Sequence, residues 1–314
     1  MNNKLLVLGT IAYDSIETPF GKTGKILGGC ATYIGLAASY FNIKCGLISI
    51  IGFDFEEEHL NLLKEKNLNL DGVEQLQGEK TFFWSGKYHN NLNTRTTLET
   101  QLNVLTKFQP KVPENYKDSS VVLLGNLDPN IQLEVLNQMD QKPDLIVMDT
   151  MNFWIESYRE KLDELIARVD VISINDEEAR QLTQKHSLVE AAKDLQALGP
   201  KYVVIKKGEH GALLFNGSNI FCAPGLPLDE VFDPTGAGDS FIGGFTAYLV
   251  QRKKINFEEM KTAVIVGSAL ASFTVQEFGI SALEKMTFVQ LGQRIQAFKS
   301  LTEFEIELTR ESDE

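Results

Sequence analysis

Cysteine is scarce in this chain and odd in number: Cys30, Cys45 and Cys222 are the only three in 314 residues. None stands at the short spacing of a metal-ligand pair, so neither a disulfide framework nor a cysteine-based metal module organises the fold, and the usage fits a reducing compartment. Positive charge is also short. Thirty Lys and Arg face 43 Asp and Glu, for a net charge of −13. Such a surface repels a phosphate backbone and gives no polybasic anchor, so nucleic acid and membrane are not expected partners; a small-molecule substrate is. Long apolar runs are missing too. The LLVL after Lys4 is far shorter than a signal-peptide core, and nothing approaches the ~18 apolar residues of a membrane span, so the chain reads as cytoplasmic. The histidines His59, His89, His186 and His210 are scattered and suggest neither H-E-x-x-H nor a Ser-His-Asp arrangement. There is no G-x-x-x-x-G-K-[ST] and no G-x-G-x-x-G after the first apolar run, which removes a P-loop enzyme and a nicotinamide dehydrogenase from the main readings.

What is present is an alternation. Short apolar runs at Leu5–Leu8, Gly46–Ile51, Val121–Leu124, Leu145–Met148, Val171–Ile174 and Tyr202–Ile205 have the look of buried parallel strands. Between them, Ala31–Phe41, Glu56–Lys66, Ile131–Met139, Glu156–Val169 and Leu188–Leu198 carry helical spacing. The pattern is β-α-β-α, an α/β fold with a mostly parallel sheet. Thr81–Tyr88 departs from it, being aromatic and partly alternating, with the polar HNNLNTRTT behind it. It predicts antiparallel strands added to the main sheet, either a small lid over a ligand cleft or an ordinary edge hairpin. With no linker or repeat in view, residues 1–314 form one domain, with lid strands inserted at about 12–28 and 80–100. Exposed lid edges of this kind are expected to permit a homodimer. The closing EFEIELTRESDE reads as an acidic, solvated terminus.

The chemistry concentrates at Asp233-Pro234-Thr235-Gly236-Ala237-Gly238-Asp239-Ser240-Phe241. Phe241, Phe245, Tyr248 and Leu249 then recur at helical spacing, so a glycine-rich turn opens a helix. Small residues at 236–238 let backbone N–H groups approach a phosphate, and the positive end of the helix dipole favours its charge, an anion hole without a lysine cradle. Asp239, in the first turn beside it, is placed to take a proton from an attacking hydroxyl. An isolated Asp at a helix start is more often a cap or a dipole partner; the adjoining glycines favour the base.

That stretch closely resembles the D-T/P-T-G-A-G-D signature of the ribokinase-like (PfkB) carbohydrate and nucleoside kinases. The resemblance implies a three-layer fold with a small β lid, and an ATP- and Mg²⁺-dependent phosphotransferase acting on the hydroxyl of a small sugar or sugar-like molecule. A nucleoside kinase, or a catalytically silent binding protein on the same fold, are its alternatives. It makes Asp239 the base and the Gly236, Ala237 and Gly238 backbone the anion hole, and it implies a monovalent cation such as K⁺ near Asp233 and Thr235. Asn175-Asp176-Glu177-Glu178 resembles the family's N-x-x-E, implying that Asn175 and Glu178 organise Mg²⁺ and phosphate, the metal through water; the same spacing is also a capping box. Lys206-Lys207-Gly208-Glu209-His210-Gly211 resembles the nucleotide loop and implies Lys207, Gly208 and Gly211 as ATP contacts, although a hairpin turn has the same composition. Ser268 lies in a segment resembling the adenine side.

On the substrate side, Gly9–Asp14 resembles G-x-x-x-x-D and implies Asp14 as the substrate anchor. Gly28-Gly29-Cys30-Ala31-Thr32-Tyr33 resembles G-G-x-x-x-N, except that Tyr33 replaces the Asn. A phenol offers a ring face and one hydroxyl where an amide both donates and accepts, so the usual sugar-hydroxyl pattern does not carry over. Asp149, at the end of an apolar strand, and Arg95, in the lid segment, are weaker candidates, with a turn and a surface arginine as their plain alternatives.

Overall fold

The computed structural model describes residues 3–303 and 305. Apart from Glu303 and Glu305, the acidic terminus falls outside the described residues.

Seven strands pair in parallel, in the spatial order Tyr202–Lys206, Val171–Asn175, Leu145–Met148, Val121–Leu124, Lys4–Leu8, Lys44–Gly52 and Leu68–Leu76. Ala212–Asn216 and Asn219–Ala223 extend the sheet antiparallel beyond Tyr202–Lys206. The central runs VVLL and LIVM are buried at every residue, as strands covered on both faces must be. Alternate residues of one strand belong to different cores. Leu5, Val7, Leu123, Val147 and Val204 pack with the helices Cys30–Ala38, Ala237–Val250, Phe257–Thr274 and Phe288–Thr302. Leu6, Leu8, Val122, Ile146 and Val203 face Pro129–Asn137, Arg159–Ile166, Asp176–Thr183 and Leu188–Leu198. The period of two along a strand thus builds three layers.

A second sheet is made of Gly21–Lys22, Ala12–Thr18, Phe83–Tyr88 and Arg95–Gln101, with Ile26–Gly28 also pairing with Ala12–Thr18. Its edge strand Arg95–Gln101 is exposed along its full length. The sequence pattern differs from the structure in three places. Phe83–Tyr88 joins this separate sheet and not the main one, pairing parallel with Ala12–Thr18 and antiparallel with Arg95–Gln101. The expected helix Glu156–Val169 is broken at Tyr158 (φ −134°, ψ 34°) into Asn152–Ser157 and Arg159–Ile166. The strand Leu68–Leu76 escaped notice because LNLDGVEQL carries Asn, Asp and Gly, which strands disfavour, and only one of its nine residues is buried. Among the described residues, no helix is long and apolar enough to cross a membrane.

Candidate active site

Asp149, Asn175 and Lys206 lie at the carboxyl ends of neighbouring parallel strands, where open α/β sheets hold their ligands. Strand parity turns all three the same way. Asp149 follows Leu145 and Val147, and Lys206 follows Tyr202 and Val204, so both side chains emerge on the face covered by the Ala237–Val250 helix. There the Lys206 ammonium meets Asp149 Oδ2 at 3.1 Å.

The start of that helix is held from three sides. Asp233, with no exposed surface, accepts from the amides of Thr235 and Gly279, each at 2.9 Å, and Thr235 Oγ1 lies 3.3 Å from the Tyr88 hydroxyl of the small sheet. Gly236 is left-handed (φ 76°), and a Cβ there would collide with the Tyr33 ring. Only glycine meets both demands. The amide of Ala237 donates to Pro234 O at 3.2 Å, whereas those of Gly238 and Asp239 have no acceptor among the described residues. Asp239 stands in this first turn, partly buried. Burial pushes its carboxyl up to about 7, the charge of Asp149 adds to the shift, and Lys206 and Arg95 oppose it.

Asp14 projects from the small sheet into the same cluster, 5% exposed, with its carboxylate accepting from the Gly29 amide. A side chain at Gly28 would occupy the place of that carboxylate. Burial pushes Asp14 up to about 7, helped by Asp233 and Asp239. The Tyr33 hydroxyl is buried with no hydrogen-bond partner among the described residues. Burial, then Asp14, Asp233 and Asp239, raise its pKa well above the ordinary phenol value, so it keeps its proton. Asp14, Asp239 and a phenol with no partner among the described residues thus lie within electrostatic reach of one another at the helix start.

The fold and the sequence have clear relatives. The putative ribokinase II of E. coli, a protein also solved with ATP and Mg²⁺, superposes with a TM-score of 0.78 at 20% identity, over 93% of this chain and 99% of that one. The nucleoside kinase of Burkholderia thailandensis, solved with inosine, gives 0.75 at 19% identity over 94% and 99%. In sequence, the cytidine kinase of Thermococcus kodakarensis is 34% identical over 249 residues, 77% of this chain and 87% of that protein. Residues 2–286 match the pfkB family carbohydrate kinases. The chain belongs to that family. It is a phosphotransferase with an alcohol group as acceptor, on a ribokinase-like three-layer fold.

Within this pfkB kinase the N-x-x-E residues do two things at once. Asn175 Oδ1 accepts from the Glu178 amide and Glu178 Oε2 accepts from the Asn175 amide, both at 2.8 Å, a complete capping box. Yet Glu178 is only 6% exposed, and its carboxyl is pushed up to about 7 by burial and then by Asp149, which a surface cap would not show. A Mg²⁺ role, which the burial of Glu178 leads us to propose, separates from the cap by mutation. Asn175→Ala is expected to cost about 1 kcal/mol of stability as a lost cap. Glu178→Gln keeps an oxygen for the cap, so it should melt near the wild-type temperature while turnover falls and the Mg²⁺ needed for half-maximal rate rises. Unchanged turnover and Mg²⁺ dependence in Glu178→Gln would leave the cap as the whole role.

The other candidates spread out. Lys207 begins the turn after its strand, donating its amide to Gly211 O at 2.7 Å; Gly208 (φ 55°) and Gly211 (φ 84°) make the turn, and a Cβ on Gly211 would strike Ala223 O. The loop between Phe83–Tyr88 and Arg95–Gln101 of the small sheet touches this turn, with Asn93 Nδ2 donating to Glu209 Oε1 at 3.3 Å. Ser268 stands partly exposed in the middle of Phe257–Thr274 and is not hydrogen-bonded into the cluster among the described residues. Arg95 reaches it electrostatically, bearing on Asp239 and Glu178. Composition alone does not separate Lys206 from Lys207. Parity along YVVIK was the available signal, because it sends Lys206 toward the helix start and releases Lys207 into the turn.

Proposed function

We propose that this kinase transfers the γ-phosphoryl group of ATP to a sugar hydroxyl of a nucleoside. The observation that carries the substrate class is the 34% identity to a cytidine kinase across 87% of that protein. The geometry agrees. Asp14, buried and amide-anchored, takes hydroxyls of the sugar, and Asp239 takes the proton of the attacking one.

The residues present fit the cofactor. The free amides of Gly238 and Asp239, the helix dipole and the glycine turn at 208–211 suit a nucleotide's phosphates and ribose. When bound, ATP supplies the phosphoryl group and its Mg²⁺ neutralises charge on it. Glu178, buried near Asp149, would act on the Mg²⁺ through water, with phosphate supplying direct oxygens. Asp233, fully buried and hydrogen-bonded to the Thr235 and Gly279 amides and to the Thr235 side chain, suits a K⁺ ion shared with Thr235.

The test is an ADP-release assay with cytidine, other nucleosides, ribose, sugar phosphates and inositol as acceptors, run in K⁺ and in choline salts. A nucleoside should give the highest kcat/KM. A free sugar or sugar phosphate exceeding every nucleoside by about tenfold, a 1.4 kcal/mol preference, would overturn the substrate class.

A further inference from the structure

We propose that Lys206 is a further catalytic residue, its ammonium contacting the oxygens of the phosphoryl group in transit above Gly238. The inference rests on the kinase reading of Asp239 and adds a protein cation beside the backbone amides of the helix start.

Three observations converge on it. Lys206 Nζ is the nearest atom, at 3.3 Å, to where a Cβ on Gly238 would stand, which puts the ammonium at the mouth of the helix. Asp149 Oδ2 is its one hydrogen-bond acceptor among the described residues, so two of the three ammonium donors remain. The amides of Gly238 and Asp239 beside it are likewise without acceptors. Four unspent donors, one group of them cationic, therefore surround one small volume. A cation with spare donors next to spare amides is the arrangement that holds a polyanion and stabilises the charge it develops.

Asp149 is the positioning residue. It is 6% exposed, its Oδ1 accepts from the Thr150 amide at 2.9 Å, and its Oδ2 fixes Lys206. Burial works against the Lys206 charge, but Asp149 and Glu178 more than offset it and keep the side chain protonated. In the transfer, the acceptor oxygen bonds to the γ-phosphorus as the bond from that phosphorus to the bridging oxygen breaks. The electron pair leaves on the β-phosphate of ADP, and the acceptor's proton goes to Asp239. Lys206 keeps its own proton throughout, which suits a group that stabilises charge.

The competing role is structural, a counter-ion that merely neutralises Asp149. The full-length protein carrying Lys206→Gln separates the two. Its kcat is expected to fall about 100-fold, the scale of losing one preorganised donor. Its affinity for a non-hydrolysable ATP analogue with Mg²⁺ should fall about tenfold or more, as for a lost charged hydrogen bond, while its ADP affinity holds. Equal weakening of both nucleotides, or near-normal kcat, would overturn the proposal. Should Lys206→Gln not fold, Lys206→Arg keeps the charge against Asp149, and its analogue-to-ADP affinity ratio should still depart from the wild type's; an unchanged ratio counts against the contact. Failure of wild-type protein to release ADP with any acceptor would speak against the proposed function, whereas the affinity ratio reads Lys206 alone.

Discussion

Asp239→Asn is expected to lower kcat by about 10³-fold while leaving ATP and ADP affinity within a small factor, because general-base catalysis contributes about 10²–10⁴-fold in rate and little to ground-state binding. The change is isosteric and sits in the first helical turn, where the amide still fits beside Lys206 and Asp149. Only the ability to take a proton is lost. The pH profile gives the same residue a second signature. Burial holds its carboxyl at about 7, well above the ordinary carboxylate range, so the base is ionised above that value and protonated below it. In the wild type, kcat/KM should rise steeply with pH through about 7, where Asp14 and Glu178 also ionise, and level off; the residual rate of Asp239→Asn should rise less steeply there. Near-normal turnover in the variant, or a wild-type rate that is flat from pH 5 to 8, would remove Asp239 from the role of base.

Gly236→Ala is the other change expected to have a large effect, although it adds one methyl group and touches no ionisable side chain. The residue is left-handed, which costs an L side chain ~1 kcal/mol or more. The larger penalty is steric, since the new Cβ would enter the Tyr33 ring, itself 1% exposed and unable to swing away. The helix start must shift, and with it the Gly238 and Asp239 amides and the base. A displacement of this kind costs about 10² in rate even when the chemical groups are intact. The expected result is kcat down about 100-fold or more, with a lowered melting temperature. Tyr33→Ala, by vacating the ring's place, should restore part of the loss in the double variant. Full activity of Gly236→Ala, with no rescue needed, would show that the helix start is not set by this contact.

These effects were legible to different depths. The local chemistry of Asp233–Asp239 could be read directly, because a glycine turn opening an apolar helix is a matter of neighbours in sequence, where small residues and an N-terminal dipole act over one turn. The strands could be read for a similar reason. Val121–Leu124 and Leu145–Met148 have nothing but apolar side chains and so can only be buried. Leu68–Leu76 could not, since an edge strand exposed on one side has no such composition.

What remained undecided was which distant residue stands where. Lys206 and Lys207 are chemically alike, and only the parity of a strand whose one face lies under the Ala237–Val250 helix turns the first toward Gly238 and leaves the second in the turn. Asn175 and Glu178 satisfy a capping box by spacing alone; that Glu178 is also buried near Asp149 follows from the packing of neighbouring strand ends. Tyr33 in the sequence is a departure from an expected Asn. In the fold its ring lies against Gly236 and its hydroxyl, unpaired among the described residues, is near Asp14, 19 positions away in the chain. The sequence determined most of the strand and helix order, the helix start and the carboxyl proposed as its base, because each depends on residues within a few positions of one another. The tertiary structure decided which charges surround that base, because burial and Coulomb interactions depend on distance in space, and folding sets those distances by joining segments far apart in the chain.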